Sequence, residues 1–90
     1  MLHPTYTKQF ERDLKRMLRR GKDKEKIKKI IGLLVREEQL PQSCRDHKLV
    51  GNYQGRRDCH VEPDWLLIYK YLEQEIIFER TGSHSDLFKK

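Results

Sequence analysis

The chain contains the run Asp58-Cys59-His60-Val61-Glu62-Pro63-Asp64-Trp65, which is predicted to end one strand, turn and begin another. Proline fixes its own φ angle and has no N–H group to donate to a sheet, so Glu62-Pro63-Asp64 is predicted to form the tip of a β-hairpin. Such a hairpin would bring His60 close to Asp64. An imidazole and a carboxylate held together at a loop tip are the groups that proton-transfer chemistry needs, so the run is also a candidate site.

Strand-like segments extend on both sides of this hairpin. Residues 48–50 and 56–61 precede the tip, and the nearly continuous apolar run at 65–72 is typical of a central strand covered on both faces. A further strand is predicted at 75–81, followed by a loop or a single helical turn at 83–88. Because these strands follow one another through short turns, we predict an antiparallel sheet of about four strands.

The amino-terminal half has the periodicity of helices. Apolar residues at three- and four-residue spacings predict one helix over residues 7–20 and a second over about residues 23–38, with Asp23 as its N-cap. Residues 2–5 fit a short edge strand, where Pro4 is tolerated. Helix, helix and then consecutive strands predicts an α+β fold. A two-helix hairpin would pack on one face of the sheet and leave the other face partly open.

The length and the charge distribution narrow the class of protein. The 90 residues are expected to form one domain, residues 1–90, with a net charge of +6. Residues 1–40 contain 12 Lys and Arg against 6 Asp and Glu, whereas residues 41–90 contain 8 of each kind. This one-sided excess fits either contact with a polyanion or a solvated helix face.

Nothing in the sequence indicates a membrane or an export signal. No apolar run approaches the roughly 18 residues that a membrane span requires, and the first residues lack the pattern of a signal peptide. We therefore expect a cytoplasmic protein with no membrane partner. In that reducing compartment Cys44 and Cys59 are expected to be free thiols.

Polar residues gather near the ends of the predicted strands. They are His47, His60, Asp64, Arg80 and His84, and they include three of the four histidines in the chain. The ends of consecutive antiparallel strands lie close in space, so these residues are expected to form one cluster. Arg80, which alternation places on one face with Ile76 and Phe78, requires an anionic partner or ligand, and Asp58 could supply that charge.

The residues alone leave four interpretations of this cluster open. Two involve chemistry or a metal. The first is metal-free acid–base catalysis on a phosphodiester, with histidines exchanging protons, Asp64 orienting an imidazole and Arg80 holding a phosphate oxygen. The second is a zinc site built from His47, Cys59, His60, Asp64 and His84. Against it, Cys59 and His60 are adjacent and would point to opposite faces of a strand.

The other two interpretations need no reaction. One is nucleic-acid binding, with Tyr53, Trp65 and Phe88 as stacking groups. The other is a structural role, in which the histidines are ordinary surface residues and Asp64 is only a turn residue.

Three segments of the chain match a known family. They are Asp46-His47-Lys48-Leu49-Val50-Gly51, the run from Arg57-Asp58-Cys59-His60 to Leu67-Ile68-Tyr69, and Glu79-Arg80-Thr81-Gly82-Ser83-His84-Ser85-Asp86-Leu87-Phe88. These segments resemble the YafQ branch of the RelE toxin superfamily, and the resemblance covers nearly the whole chain. It implies a RelE-like α+β fold, with a two-helix amino-terminal hairpin, an antiparallel sheet of about four strands and a short C-terminal helical turn.

The resemblance also implies a reaction. Members of this family are toxins of bacterial type II toxin–antitoxin pairs, ribosome-dependent endoribonucleases that cut mRNA in the A site and so inhibit translation. The resemblance implies that the ribose 2′-hydroxyl attacks the adjacent phosphorus, without a metal or another cofactor. The implied catalytic residues are His47, His60, Asp64 and His84, with Arg80 at the phosphate and Phe88 positioning the mRNA. The alternative is a non-catalytic basic module of the same fold that binds nucleic acid or protein.

Partners follow from the same resemblance. A cognate antitoxin with an acidic contact surface and a DNA-binding amino half is implied, together with the 70S ribosome and its mRNA. Operator DNA is expected only through the antitoxin. Basic residues of the first helix are expected to dock on ribosomal RNA, namely Lys8, Arg12, Lys15, Arg16, Arg19 and Arg20.

Overall fold

Two helices and a five-stranded sheet make up most of the chain in a computed structural model that describes residues 1–88. The elements in chain order are β1 (His3–Tyr6), α1 (Lys8–Arg19), α2 (Lys24–Val35), β2 (His47–Lys48), β3 (Arg57–Glu62), β4 (Trp65–Leu72), β5 (Glu75–Gly82) and α3 (His84–Leu87). Single 3₁₀ turns at Gln42–Cys44 and Gly51–Tyr53 flank β2. The predicted α+β class, with a helical hairpin before the sheet and a short helix after it, is confirmed.

The caps of the helices explain where they begin and end. The Thr7 side chain accepts a hydrogen bond from the N–H of Phe10 and starts α1, close to the predicted start. Asp23 caps α2 as predicted, by accepting from the N–H of Glu25. Helix α2 ends at Val35, three residues before the predicted end, because Glu37 adopts a left-handed φ of 60° that a helix cannot continue through.

The sheet has the strand order β1-β5-β4-β3-β2 and is mixed. Strands β2 to β5 pair antiparallel with their neighbours in sequence, as predicted. The prediction of a wholly antiparallel sheet of about four strands is wrong for β1, which adds a fifth strand parallel to β5. Short turns force antiparallel pairing only between neighbours in sequence, and β1 reaches β5 from the far end of the chain.

Strand β4 lies at the centre of the sheet and is buried on both sides. Trp65, Leu67 and Tyr69 belong to the core formed with α1 and α2, whereas Leu66 and Ile68 pack against Leu87 of α3. We call the side covered by α1 and α2 the helix face and the side carrying α3 the open face. The predicted central strand covered on both faces is confirmed, since these five residues are all 0% exposed.

Cys44 and Cys59 are buried free cysteines, as predicted. Within residues 1–88, none of the helices combines the length and the apolar character needed to span a bilayer.

Candidate active site

The predicted hairpin tip is present at the edge of the open face. Strand β3 ends at Glu62, two turn residues follow, and β4 begins at Trp65. Glu62 accepts hydrogen bonds of 2.8 Å from the ammonium groups of both Lys22 and Lys26. These hydrogen bonds lower the pKa of Glu62, and the one from Lys22 has the larger effect. Salt bridges therefore hold the hairpin that carries the candidate residues against the start of α2.

Asp64 binds His84. Its Oδ1 lies 2.5 Å from Nδ1 of the His84 ring and accepts a 2.9 Å hydrogen bond from the His84 backbone N–H. The backbone hydrogen bond and then the side-chain contact lower the pKa of Asp64, so this carboxylate is ionised at neutral pH. An ionised carboxylate can only accept, so Nδ1 must carry the proton, and Nε2 is left to exchange a proton with another molecule.

His60 lies beside this pair. The ring centroids of His60 and His84 are 5.7 Å apart, with an angle of 55° between the planes. The hydrogen bond of the Asp64 carboxylate goes to His84, the first residue of α3, rather than to His60. The hairpin tip and α3 together place two imidazoles and one carboxylate on the open face.

His47 sits on the neighbouring edge strand, opposite Asp58. Its Nδ1 donates to the carbonyl oxygen of Arg45 at 2.7 Å and lies 3.1 Å from Oδ1 of Asp58. The ring N–H points to the carbonyl, so Asp58 Oδ1 has no hydrogen bond among the described residues although it is buried. Burial raises the pKa of Asp58, and the charges of His47, His60 and His84 oppose that rise.

Arg80 reaches the open face, but its partner is a residue of α1. A register shift between Ile68 and Tyr69 turns Arg80 out of the alternation with Ile76 and Phe78, and Arg80 pairs with Ile68. The predicted shared face is therefore wrong, because a bulge inverts the alternation. Arg80 donates from Nε and Nη2 to Asp13, at 2.7 and 3.3 Å, so the suggestion of Asp58 as its partner is also wrong.

Asp13 is the most heavily bonded carboxylate near the site. It is fully buried and also accepts from the backbone N–H of Thr81, from Gln9 and from Arg16. Because several donors converge on one carboxylate, the guanidinium of Arg80 is held in one orientation. The contacts of Asp13 use Nε and Nη2 of Arg80 and leave Nη1 for another acceptor.

Helix α3, which carries His84, is fixed at its first turn. Ser83 and Asp86 form a capping box, and the Asp86 carboxylate binds Arg20 through two hydrogen bonds of 2.7 and 3.1 Å. The hydrogen bond from Arg20 lowers the pKa of Asp86. A Cβ on Gly82 would lie 2.9 Å from the Cβ of Asp86, so glycine permits this close approach.

Phe88 follows α3 and lies between two rings. Its centroid is 6.5 Å from that of His84 and 5.5 Å from that of Tyr53. The Tyr53 hydroxyl donates to the carbonyl oxygen of Leu87 at 3.3 Å. The loop before β3 and the end of α3 therefore meet beside the histidines.

The basic residues of α1 fall into two groups. Lys8, Arg12, Lys15 and Arg19 are exposed. Arg16 and Arg20 instead contact acidic residues of the fold, Arg16 at Asp13 and Arg20 at Asp86. The predicted docking set thus contains two cations that bind carboxylates of the fold, Arg16 and the exposed Arg20, beside four other exposed cations.

The five suggested zinc ligands do not all come together, because Cys59 lies apart from the histidines. Among residues 1–88, no group of three or more His, Cys, Asp or Glu side chains is arranged to hold a metal ion. Cys59 is buried in the core of the helix face, and burial raises the pKa of its thiol. Cys59 therefore lies on the opposite side of the sheet from the histidines.

Two acidic residues of this region were missed from the sequence, namely Asp13 and Asp86, and Asp58 was suggested only as a partner of Arg80. Asp13 had a signal: it lies three residues after Phe10 and four before Met17, both buried, so a charge occupies the apolar stripe of α1. Asp86 had the Ser-x-x-Asp spacing of a capping box. Asp58 differs from other charged strand residues only through its burial, which depends on the fold.

Comparison with known proteins gives consistent matches along the chain. Residues 2–89 match the family model described as the bacterial toxin of type II toxin–antitoxin system, YafQ. The mRNA interferase toxin YafQ of Escherichia coli (strain K12) is 45% identical over 84 residues, which cover 92% of this chain and 91% of that protein.

Two solved structures have the same fold. The chain in the crystal structure of the E. coli DinJ-YafQ complex has a TM-score of 0.90 and 43% identity, covering 98% of this chain and 99% of that one. A metal-bound toxin from Helicobacter pylori has a TM-score of 0.90 and 39% identity, covering 98% of this chain and 100% of that one. The similarity thus spans both the helical hairpin and the open face.

Proposed function

The chain belongs to the YafQ family of bacterial toxins of type II toxin–antitoxin systems, and we propose that it is an endoribonuclease that cleaves mRNA on the ribosome. The observation that carries this proposal is the Asp64–His84 contact beside His60 on the open face. A relative named as an mRNA interferase, 45% identical, supports the substrate class.

The proposed reaction needs two proton transfers. A base removes the proton of the ribose 2′-hydroxyl, its oxygen forms a bond to the adjacent phosphorus, and the bond from phosphorus to the 5′-oxygen breaks. An acid gives its proton to that leaving oxygen, so the products are a 2′,3′-cyclic phosphate and a 5′-hydroxyl. We assign the acid to His84, acting through Nε2, and the base to His60 or His47. Each transfer contributes about 10² to 10⁴ in rate.

Two further residues stabilise the charges that develop on His84 and on the phosphate. Asp64 fixes the tautomer of His84 and stabilises the ring when it carries a positive charge. Arg80 binds a phosphate oxygen through Nη1, since its other two nitrogens are committed to Asp13. No metal takes part in this scheme.

The ribosome supplies the geometry in this proposal. The ribosome holds mRNA in a fixed path, so it can keep the 2′-oxygen in line with the leaving oxygen while the side chains of the site transfer the protons. The exposed cations of α1, Lys8, Arg12, Lys15 and Arg19, are suited to ribosomal RNA.

An antitoxin is the proposed protein partner, since the E. coli relative was crystallised as a DinJ-YafQ complex. We expect it to present an acidic surface to α1 or to cover the histidines, with a DNA-binding amino half. Co-expression with the neighbouring small open reading frame should yield a stable complex and relieve growth arrest. A purified monomer that is harmless in cells without that frame would count against this partner.

Cleavage of mRNA on programmed ribosomes tests the proposed activity. Wild-type protein should cut, and His84→Ala and His60→Ala should cut about 10² to 10⁴ times more slowly. His3→Ala is the matched control, because His3 is an exposed histidine of β1 remote from the histidine cluster and should leave the rate unchanged. Intact mRNA in the presence of wild-type protein that still arrests growth would favour the non-catalytic binding module instead.

The same assay should also test whether cleavage depends on a metal, because the H. pylori relative was crystallised with one. Addition of EDTA at a Mg²⁺ concentration that keeps ribosomes intact should leave cleavage unchanged. Loss of cleavage that added zinc or copper restores would replace the metal-free scheme.

A further inference from the structure

Asp46 lies next to His47 and joins the edge of the sheet to the helix face. Its carboxylate accepts a 2.5 Å hydrogen bond from the hydroxyl of Tyr69 and two hydrogen bonds, of 3.3 and 3.2 Å, from Nε and Nη2 of Arg57. From these contacts we infer that Asp46 is a positioning residue, which holds His47 in place on the open face by fixing the backbone before β2. The inference rests on the proposed nuclease function, because His47 is one of its catalytic candidates.

The two donors to Asp46 are themselves fixed. Tyr69 is 0% exposed in the core of the helix face, where its hydroxyl reaches the Asp46 carboxylate. Burial, and then this hydrogen bond, raises the pKa of Tyr69. Arg57 lies opposite Tyr69 in the pairing of β3 with β4, and its hydrogen bond to Asp46 raises the pKa of Arg57 as well. Both groups therefore keep their protons at neutral pH and remain donors to Asp46.

Strand β2 has few backbone contacts of its own. It contains only His47 and Lys48, lies at the edge of the sheet and pairs with β3 alone. A two-residue strand at an edge has too few backbone hydrogen bonds to stay ordered unaided, so the side-chain contacts beside it determine its order. The three hydrogen bonds of Asp46 are such contacts, and they act on the residue that directly precedes the strand.

The backbone of Arg45 connects the Asp46 carboxylate to the imidazole. Arg45 has a left-handed φ of 48°, which is uncommon for a residue with a Cβ and persists only where surrounding contacts impose it. Its carbonyl oxygen accepts the 2.7 Å hydrogen bond from Nδ1 of His47. If the bonds to Asp46 were lost, Arg45 would be free to relax to an ordinary conformation, and its carbonyl would leave the ring of His47.

Asp46 acts on His47 through this backbone and not through its charge. The carboxylate beside the His47 ring is that of Asp58, whose Oδ1 lies 3.1 Å from Nδ1. The Asp46 carboxylate is instead committed to Tyr69 on the helix face. Because Nδ1 is protonated and donates to the Arg45 carbonyl, Nε2 of His47 keeps its lone pair and can accept a proton. Asp46 thus determines which nitrogen of His47 is available to the reaction.

The tautomer of His47 tests this role without any reaction. In the wild type, nitrogen NMR of the imidazole at a pH where the ring is neutral should show the proton on Nδ1. Asp46→Ala removes all three hydrogen bonds and Tyr69→Phe removes one of them, so both should increase the fraction of ring protonated at Nε2, Asp46→Ala by more. Tyr6→Phe is the matched control, because it removes a hydroxyl from β1 at the opposite edge of the sheet and should leave the tautomer unchanged.

Cleavage on programmed ribosomes shows whether the same contacts serve the reaction. Asp46→Ala should slow single-turnover cleavage by about 10-fold or more, because a small displacement of a catalytic group has an effect of that size. Tyr69→Phe, which keeps the buried ring, should slow cleavage by a smaller factor, and Tyr6→Phe should not slow it. In the His47→Ala background Asp46→Ala should cause no further loss. An equal loss in both backgrounds would overturn the inference, since Asp46 would then act independently of His47.

The two measurements distinguish failure of this inference from failure of the nuclease proposal. If wild-type protein leaves mRNA intact while both variants shift the tautomer of His47, the nuclease proposal fails and the positioning role of Asp46 stands. If His47 keeps its proton on Nδ1 in Asp46→Ala, the positioning role is contradicted even where cleavage falls. Urea denaturation shows whether Asp46→Ala folds. If it does not, an unchanged tautomer in the folded Tyr69→Phe variant contradicts the role, because that substitution removes only a hydroxyl from the core.

Discussion

The two faces of the sheet differ in what their residues do. On the helix face, Phe10, Met17, Ile27 and Trp65 are packed into one large apolar core beneath two twelve-residue helices. On the open face a four-residue helix covers only Leu66 and Ile68, and the histidines lie beside it. The core that stabilises the fold and the proposed catalytic residues therefore lie on opposite faces of one sheet, and substitutions on the two faces should have different consequences.

Two phenylalanines provide the largest contrast in stability. Phe78→Ala removes a ring that is 0% exposed from the helix face and should lower the free energy of unfolding by about 3–5 kcal/mol. Phe88→Ala removes the same ring from a half-buried position on the open face and should cost less than about 1.5 kcal/mol. Urea denaturation of both variants measures the two values. Equal losses would mean that the open face contributes as much to folding as the helix face.

Asp13 is the residue at which this separation should fail, because it joins α1 to Arg80. Asp13→Asn keeps an oxygen acceptor but removes the charge that faces Arg80, and it should cost about 1–3 kcal/mol in unfolding free energy. Cleavage should also fall by about 10-fold at temperatures where the variant remains folded, since Arg80 is no longer held. An unchanged cleavage rate in the folded variant would make Asp13 a purely structural residue.

The contact between Arg20 and Asp86 should affect order around α3 more than global stability. A four-residue helix is too short to persist unaided, so its ties to the fold determine its order. In Arg20→Ala the backbone amides of Leu87 and Phe88, which close the helix, should exchange their hydrogens several-fold faster. Arg19→Ala, which removes a neighbouring exposed arginine, should leave those rates unchanged. Equal protection in the two variants would show that the capping box alone holds α3.

Acid should weaken the protein modestly through residues at the rim of the open face. The pKa values of Asp64, Asp86 and Glu62 are lowered in the folded protein, so the unfolded chain binds protons more readily. Their contribution to stability is present above the ordinary carboxyl pKa of about 4 and is lost as the pH falls below it. Asp58 acts in the opposite sense, because burial raises its pKa.

The matched variant for this effect is Asp86→Asn. Its unfolding free energy should decline less steeply between about pH 5 and pH 3 than that of the wild type. Parallel declines for the two proteins would exclude the Arg20–Asp86 pair as a source of the acid sensitivity.

Much of the fold was predictable because local signals agree with it. The caps Thr7 and Asp23 and the apolar run of β4 each specify an element within a few residues. The parallel position of β1 was not predictable, because pairing between the two ends of the chain leaves no turn signal. The end of α2 was missed because a left-handed glutamate, Glu37, replaces the glycine that usually announces a helix end.

The candidate site was predictable in composition but not in pairing. The sequence indicated four residues of the site, namely His60, Asp64, Arg80 and His84. The structure brings His60, Asp64 and His84 together. Their partners depend on a bulge at β5 and on the docking of α3, which alternation within a single strand does not reveal. For this reason the sequence did not reveal that Asp64 binds His84, or that Arg80 binds Asp13 rather than Asp58.

The most direct test of the account is a double-mutant cycle between Asp64 and His84, measured as single-turnover mRNA cleavage on programmed ribosomes. If Asp64 acts through His84, Asp64→Asn should slow the wild type substantially and should cause no further loss in the His84→Ala background. The same factor of loss in both backgrounds would contradict the account, since Asp64 would then contribute to cleavage independently of the imidazole that it binds.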